Sequence, residues 1–423
     1  MTISSQTTPS ADVTLNRWIR PGDSIVWPQG SGEPQTLTEA FMRQASAFAG
    51  CRLFLGGTFS TTLLGIDQFD IELSVLGGAG GNHRLADRGR LRVLPAHVSS
   101  VPSLIDQGLI GADVVLLQVS PPGPDGRHSL GVIADYVQAA MRRARTVIAE
   151  VNPQVPYVGG DTWVDPDRLT AVVHTDRPLL QIPTPEPDAV TRQVAAHVAS
   201  LVPDGATLQI GVGSLPSAVL QALAGHRHLG IHSGAIGDDL VDLVEAGVVT
   251  NERKAVDAGV SVSGALFGTD RLYSFAHRNP AIALRSLSHT HAAAVVAQQP
   301  GFRAINGALD VDLTGQVNAE SAGRRHVGAV GGQVDFVRAA MSAPGGRAII
   351  ALPSLTSSGV SRIATRLADG VVTTPRCDAD VVVTEHGVAE LRGQPLHERA
   401  RRMIAIADPS VREQLEREAV SLS

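Results

Sequence analysis

The sequence predicts an α/β protein built from two similar halves. Short β-branched runs such as 113–117 and 348–351 alternate with segments of helical period such as 34–44 and 216–224. Apolar runs of this length are typical of strands buried on both faces, and their alternation with helices favours parallel sheets. Each of these two helices is preceded by the same series, namely a strand, a glycine turn and a proline. This similarity indicates an internal repeat.

The elements follow in order along the chain. We predict strands at 24–27, 113–117, 146–149 and 348–351, and helices at 34–44 and 216–224. The proline-rich and acidic stretch 182–188 lies between the two repeats and is the natural linker. The predicted domains are therefore residues 1–185 and 186–423.

Composition limits the possible functions. The 423 residues are 43% hydrophobic and 18% charged with a net charge of −6, which excludes a disordered chain and disfavours a nucleic-acid partner. Lys254 is the sole lysine and lies in a polar run, so a Schiff-base or phosphate-loop lysine is disfavoured. Cys51 and Cys377 lack metal-ligand spacing. Without an apolar leader or spanning stretch, we expect a cytoplasmic protein that does not bind membranes.

The two glycine-rich turns are candidate binding elements. The first contains Gly30 and Gly32 before Glu33, and the second is the run Gly211, Val212, Gly213 and Ser214. Glycine lets a backbone approach a ligand closely, and the free N–H groups of a helix start favour an anion or a developing oxyanion. A simple tight turn is the alternative interpretation of either run.

Many separate stretches carry a family resemblance over about residues 21–418. They lie in the order 117–122, 149–153, 211–219, 230–233, 245–251, 306–316, 331–338, 361–363 and 383–389. On these stretches the chain resembles the acetyl-CoA hydrolase / 4-hydroxybutyrate CoA-transferase family, which is similar to the class I CoA-transferases. The resemblance implies two open α/β domains with the active site at their interface, and a homodimer.

The resemblance also implies a mechanism. In the family a glutamate attacks the acyl-CoA thioester, and an enzyme–CoA thioester forms through a mixed anhydride. A second carboxylate then takes the CoA, or water ends the cycle in hydrolases. Coenzyme A is thus expected as substrate or product, with an acyl-CoA and a small carboxylate as partners. No permanently bound cofactor and no metal are expected.

The position of the family glutamate departs from the pattern. Here His232-Ser233 is followed by Gly234, which has no side chain to form an anhydride. Glu33 is the candidate replacement, with a solvated loop carboxylate as its alternative. His232 is either a general base for water or a structural histidine. Asp238 and Asp239 follow closely, but helix capping explains an aspartate there.

Further candidate residues are expected to bind the substrate rather than to take part in the reaction. Gly331, Gly332 and Gln333 form the expected CoA-facing loop, since the glycines admit a bulky ligand and glutamine both donates and accepts. Asn306 is expected at the acyl site. The run 399–402 is expected to be a solvated helix face. His97 and Glu385 lie in family-like stretches and receive no role.

Three functions remain open at this point. The first is an enzyme that transfers CoA from an acyl-CoA to a carboxylate, with Glu33 or another group replacing the family glutamate. The second is a hydrolase, either of the acyl-CoA thioester or of a C–C bond, that uses water in the space vacated at Gly234. The third is a CoA-binding protein without activity.

Overall fold

The structure is a computed structural model that describes residues 7–9, 13–86, 89, 91–367 and 370–420. It divides into two compact units. Unit 1 contains residues 1–183 and 263–289, and unit 2 contains residues 184–262 and 290–423. The first division follows Pro183, inside the predicted linker 182–188. Residues 263–289 belong to unit 1 although they lie in the second half of the sequence.

Short strands alternate with short helices along the chain. The strands are β1 (Thr7–Pro9), β2 (Ser24–Val26), β3 (Cys51–Leu55), β4 (Ile71–Val75), β5 (Leu91–Val93), β6 (Val114–Val119), β7 (His128–Ser129), β8 (Thr146–Val151), β9 (Gly159–Gly160), β10 (Trp163–Val164), β11 (Ala171–His174), β12 (Thr207–Ile210), β13 (Gly230–Ser233), β14 (Ser261–Ser263), β15 (Ile282–Leu284), β16 (Arg303–Gly307), β17 (Asp310–Asp312), β18 (Val317–Asn318), β19 (Ser321–Ala322), β20 (Arg325–His326), β21 (Arg347–Ala351), β22 (Ile363–Ala364), β23 (Val381–Thr384) and β24 (Gly387–Glu390). The α-helices are α1 (Gln35–Arg43), α2 (Asn82–Ala86), α3 (Val101–Asp106), α4 (Val137–Arg143), α5 (Ala189–Ser200), α6 (Ser214–Ala222), α7 (Asp239–Glu245), α8 (Asp270–Ala276), α9 (Leu287–Thr290), α10 (Ala293–Val296), α11 (Gln333–Ser342), α12 (Leu396–Ala405) and α13 (Pro409–Ala419). None of the helices in the described residues is long and apolar enough to cross a membrane.

Unit 1 is built on an eight-stranded sheet in the order β1-β11-β8-β6-β2-β3-β4-β5. Every adjacent pair in this sheet is parallel. Alternate residues of its strands enter two different cores. Val114 and Leu116 of β6 pack in a cluster with Phe41 of α1, whereas Val115 and Leu117 pack in a second cluster with α3 and α4. The sheet is therefore covered on both faces, which is why its strands are continuous apolar runs.

Unit 2 contains the strand order β24-β23-β21-β16-β12-β13. The pairs from β23 to β13 are parallel, and only β24 runs antiparallel to its neighbour β23. Ile350 of β21 and Val382 of β23 are partners and pack with Phe336 of α11 and Met403 of α12. Burial of such side chains stabilises by about 1.5–3 kcal/mol each.

The structure confirms the predicted α/β fold and parallel sheets. The four predicted strands correspond to β2, β6, β8 and β21, and the two predicted helices correspond to α1 and α6. The repeat at the two helix starts is present but not identical. Pro34 directly precedes α1 after a 3-10 turn over Gly30–Gly32, whereas Pro216 is already the third residue of α6.

A substitution at Gly160 tests the pairing of β9 with β15 in unit 1. Its φ of +141° is a conformation that side chains rarely adopt, and a Cβ there would collide with the carbonyl oxygen of Leu284. We predict that Gly160→Ala lowers the free energy of unfolding by about 1–3 kcal/mol. Gly159→Ala is the matched control, because no atom of the described residues lies within 4 Å of its Cβ position. Equal denaturant midpoints for the two variants would contradict this account.

Candidate functional site

The sequence-predicted residues of unit 2 meet where parallel strands end. The carboxyl ends of parallel strands lie at one edge of a sheet, and loops at that edge are the usual place for ligands in α/β folds. Gly211 follows β12, Gly234 follows β13, and Asn306 is near the end of β16. Leu208 of β12 is paired with Ile231 of β13, so Gly211 and Gly234 stand at the same level.

The turn after β12 is short and half-buried. Gly211, Val212 and Gly213 lead directly into α6, which begins at Ser214. Gly213 has a φ of +120°, a conformation that favours glycine and turns the chain into the helix. The first N–H groups of the helix therefore face the edge of the sheet. Such groups suit an anionic ligand or an oxyanion.

Ser233 holds the two loops together rather than facing a ligand. It is fully buried, and its Oγ lies 2.7 Å from the carbonyl oxygen of Ile210, which accepts its hydrogen. The backbone nitrogen of Ile210 in turn donates a hydrogen bond to the Ser233 Oγ at 3.3 Å. The end of β13 is thus fixed to the end of β12, and Gly234 follows at a defined position.

His232 is fully buried under this edge. Its Nε2 lies 3.0 Å from the backbone oxygen of Thr290, and a carbonyl only accepts, so Nε2 carries the hydrogen and donates it. This contact ties β13 to the segment that carries Thr290. Of the two roles that the sequence leaves open for His232, the arrangement favours the structural one.

The imidazole of His291 lies against Gly234, and sequence analysis missed it. A Cβ built on Gly234 would be 2.9 Å from both Cε1 and Nε2 of His291, and one built on Gly332 would collide with the same ring. The ring also packs on Phe336 with centroids 4.6 Å apart. His291 lies outside every motif that carries the resemblance, so only the folded chain brings it to the site.

The His291 imidazole is held neutral. Its Nδ1 lies 2.8 Å from the hydroxyl oxygen of Thr290. Burial, and secondarily the neighbouring His232, lower the pKa of His291 from 6.5 to about 3. A neutral imidazole has one donor and one acceptor nitrogen, and it can hold a polar group of a substrate without carrying a charge.

The predicted CoA loop lies beside this ring. Gly331 has a φ of +57°, and Gly332 directly precedes α11. Gln333 begins that helix, is buried, and donates from Nε2 to the hydroxyl of Thr374 at 2.9 Å. Its amide nitrogen is therefore engaged within the protein, whereas the glycines stay half-buried at the edge.

Asn306 forms an amide pair. Its Nδ2 donates to Oε1 of Gln209 at 3.0 Å, and Nε2 of Gln209 lies 3.3 Å from Oδ1 of Asn306. Asn306 is half-buried and Gln209 is buried. The pair joins β16 to β12 close to their carboxyl ends, so Asn306 presents a fixed side chain at the predicted acyl site.

Glu33 belongs to unit 1 and is buried with 3% of its surface exposed. The alternative of a solvated loop carboxylate is therefore wrong, because the turn over Gly30–Gly32 folds inward. Its Oε1 accepts a hydrogen bond from the Thr38 hydroxyl at 2.8 Å. Burial raises the pKa of Glu33 above its usual 4.5, and hydroxyls of Ser60, Thr38 and Thr62 oppose that rise.

Other predicted side chains have structural roles. The expectation of a solvated face at 399–402 is wrong for Arg399, which is buried and donates to the backbone oxygens of Thr314 and Arg376. Lys254 is likewise buried, and its Nζ donates to backbone oxygens of Ile231 and Val260. Lys254 therefore contributes to the core rather than to an exposed polar run.

Helix capping is the sequence interpretation for Asp238 and Asp239, whereas Glu385 and His97 received no role. Asp238 stands at the N-cap of α7 but makes no capping hydrogen bond, and Asp239 accepts one from the Ser217 hydroxyl at 2.7 Å instead. Glu385 accepts from both the backbone N–H and the hydroxyl of Ser354, so it fixes the loop after β21. His97 lies in unit 1 and is half-buried.

Two family models match the chain in order. The Acetyl-CoA hydrolase/transferase N-terminal domain matches residues 78–182, and the Acetyl-CoA hydrolase/transferase C-terminal domain matches residues 268–419. Among solved structures, RipA from Yersinia pestis is similar with a TM-score of 0.91 and 33% identity, covering 96% of each chain. The 4-hydroxybutyrate CoA-transferase of Porphyromonas gingivalis has a TM-score of 0.83 and 30% identity, covering 99% of this chain and 98% of its own. The fold is therefore that of a CoA-transferase.

Curated relatives agree over nearly the whole length. The 4-hydroxybutyrate coenzyme A transferase of Clostridium kluyveri is 38% identical over 396 residues, which cover 92% of each chain. The succinyl-CoA:cyclohexane-1-carboxylate CoA transferase of Geobacter metallireducens is 31% identical over 94% of this chain and 91% of its own. This chain belongs to the acetyl-CoA hydrolase/transferase family, as the sequence motifs indicate.

Replacing the Glu33 carboxyl tests its burial. Because the folded-state pKa is raised, the stabilising contribution of Glu33 is complete below its unfolded value of 4.5 and is lost as the pH rises through the folded value. Glu33→Gln does not titrate. We predict that the free energy of unfolding of the wild type falls relative to this variant as the pH rises above 4.5. A difference that stays constant with pH in denaturant titrations would contradict the prediction.

Proposed function

We propose that the protein transfers coenzyme A from an acyl-CoA thioester to a small carboxylate. One observation carries the proposal. The glycine turns before α6 and α11 flank the carboxyl edge of the unit 2 sheet, in a chain that aligns over 92% of its length with a CoA transferase. Acyl-CoA and a carboxylate are accordingly the proposed substrates.

The edge of unit 2 offers suitable chemistry for a thioester. The starts of α6 and α11 supply N–H groups that lack partners within the helix, and such groups stabilise negative charge on a carbonyl oxygen or phosphate. Gly211, Gly213 and Gly331 are half-buried, and no atom of the described residues lies closer than 3.9 Å to a Cβ position on any of them, so a bulky ligand can approach their backbone. Asn306 adds a fixed amide.

Hydrolysis of the acyl-CoA is the second candidate, and a specific observation favours it. Gly234 has no carboxylate to carry CoA between two substrates, so water is an available acceptor. A relative in Saccharomyces cerevisiae is named acetyl-CoA hydrolase and is 30% identical over 57% of this chain. A CoA-binding protein without activity and a C–C bond hydrolase have no such support.

Several roles stay predictions within this proposal. They are the replacement of the family glutamate by Glu33, the interface position of the active site, and homodimer formation. The buried, hydroxyl-bound state of the Glu33 carboxyl supports a fixed position for it but no particular step. Analytical ultracentrifugation tests the dimer.

Binding is the first test. We predict that CoA and short acyl-CoAs stabilise the folded protein, and that a ligand at 100 times its dissociation constant adds about 2.7 kcal/mol. A thermal-shift series with several acyl-CoAs measures this, with calorimetry on the strongest ligand. An unchanged midpoint together with no heat of binding would contradict the proposal.

The acceptor is the second test. We predict that a new acyl-CoA forms when the protein, one acyl-CoA and a second carboxylate are mixed, because the carboxylate accepts the CoA. Mass spectrometry follows the new thioester, and a thiol reagent follows free CoA. Thiol release at the same rate with and without any carboxylate, and no new thioester, would establish hydrolysis instead.

A further inference from the structure

His291 and Gly234 form a matched pair in unit 2. The imidazole occupies the volume into which a side chain at residue 234 would project, since a Cβ there would lie 2.9 Å from two ring atoms. Gly234 has no positive φ, so its glycine is required by space rather than by backbone conformation. The ring therefore places a polar group beside residue 234, which has no side chain of its own.

The surroundings of the ring keep it in place. Phe336 packs on it from α11, and Gly332 leaves room for its Nε2 edge. Nδ1 of His291 is directed to the hydroxyl of Thr290. The backbone oxygen of Thr290 accepts a hydrogen bond from His232. When the hydroxyl donates to Nδ1, the hydrogen lies on Nε2, which borders both glycines.

We propose that His291 is a catalytic residue whose Nε2–H binds the thioester carbonyl oxygen, and that CoA passes directly between two bound substrates without an enzyme–CoA intermediate. This inference rests on the proposed transfer function and specifies its mechanism. Two points support it. The position at which the resemblance implies a CoA-carrying carboxylate is Gly234, which has no side chain, and the group that fills the space beside it is a hydrogen-bonding ring.

The direct reaction balances without an enzyme nucleophile. An oxygen of the acceptor carboxylate attacks the thioester carbonyl carbon, the C–S bond breaks, and CoA leaves as thiolate with a mixed anhydride remaining. The thiolate then attacks the carbonyl carbon of the acceptor acid. The C–O bond of the anhydride breaks, and the donor acid leaves as carboxylate. No net proton moves, so a neutral donor that stabilises each oxyanion is sufficient.

The pairing of the two residues is tested without any activity. Gly234→Ala is expected to lower the melting temperature by roughly 2–5 °C, because the new methyl group meets a buried ring. His291→Ala/Gly234→Ala is expected to show a much smaller added loss relative to His291→Ala alone. Gly225→Ala is the control, since its Cβ position has no neighbour within 4 Å in the part of the chain that the structure describes. Equal losses from Gly234→Ala in both backgrounds would overturn the pairing.

The role of the ring is tested by two substitutions that differ in one polar group. His291→Gln places an amide N–H near the position of Nε2, whereas His291→Leu has no donor. We expect His291→Leu to lower kcat by roughly 100-fold with KM changed little, and His291→Gln to recover most of this loss. Equal kcat values in two variants of equal melting temperature would overturn the donor role.

The direct route is tested on the wild-type protein. Double-reciprocal plots of the initial rate against one substrate, at several concentrations of the other, should give intersecting lines. The intact mass of the protein should show no added CoA after incubation with acyl-CoA. Borohydride, which reduces a thioester on a carboxylate, should not inactivate the protein. Parallel lines, or a CoA adduct on Glu33 or Asp238, would overturn the direct route. If no carboxylate accepts CoA, the proposed transfer and the direct route both fail, and the melting comparison still decides the pairing.

Discussion

The packing of the His291 imidazole against Gly234 and Gly332 is the constraint on which the arrangement at the edge of the unit 2 sheet depends. The ring fills the space beside Gly234 and Gly332, so neither residue can carry a side chain without displacing it. Burial keeps the ring neutral, with its pKa lowered to about 3. The group beside Gly234 is thus an uncharged ring with hydrogen-bonding nitrogens.

The strand pairing of the unit 2 sheet positions Gly234 for its contact with His291. Parallel pairing of β12 with β13 and β16 brings Gly211, Gly234 and Asn306 to one edge, and the Ser233 hydroxyl locks two of the strand ends together. The starts of α6 and α11 then add backbone N–H groups at the same edge. Local strand pairing and helix starts thus bring residues far apart in sequence to one edge of the sheet.

The fold was largely predictable, because it depends on local patterns. Apolar runs such as 113–117 predict strands buried on both faces, and the ordered motifs predict the family that the comparisons establish. Side-chain environments were less accessible. A solvated charge was the sequence interpretation of Arg399 and the alternative interpretation of Glu33. Both side chains are buried, because the folded chain supplies their hydrogen-bond partners. His291 was missed because a ring that compensates for a distant glycine leaves no local signal.

A crystal structure with an acyl-CoA bound, in the absence of an acceptor carboxylate, tests the central claim most directly. The claim concerns which group stands at the end of β13 and meets the reacting thioester. We predict that Nε2 of His291 lies within hydrogen-bond distance of the thioester carbonyl oxygen, with no covalent bond from the protein to CoA. A thioester bond between the CoA sulfur and an aspartate or glutamate side chain of this protein would contradict the account. An imidazole of His291 turned away from Gly234 would contradict it as well.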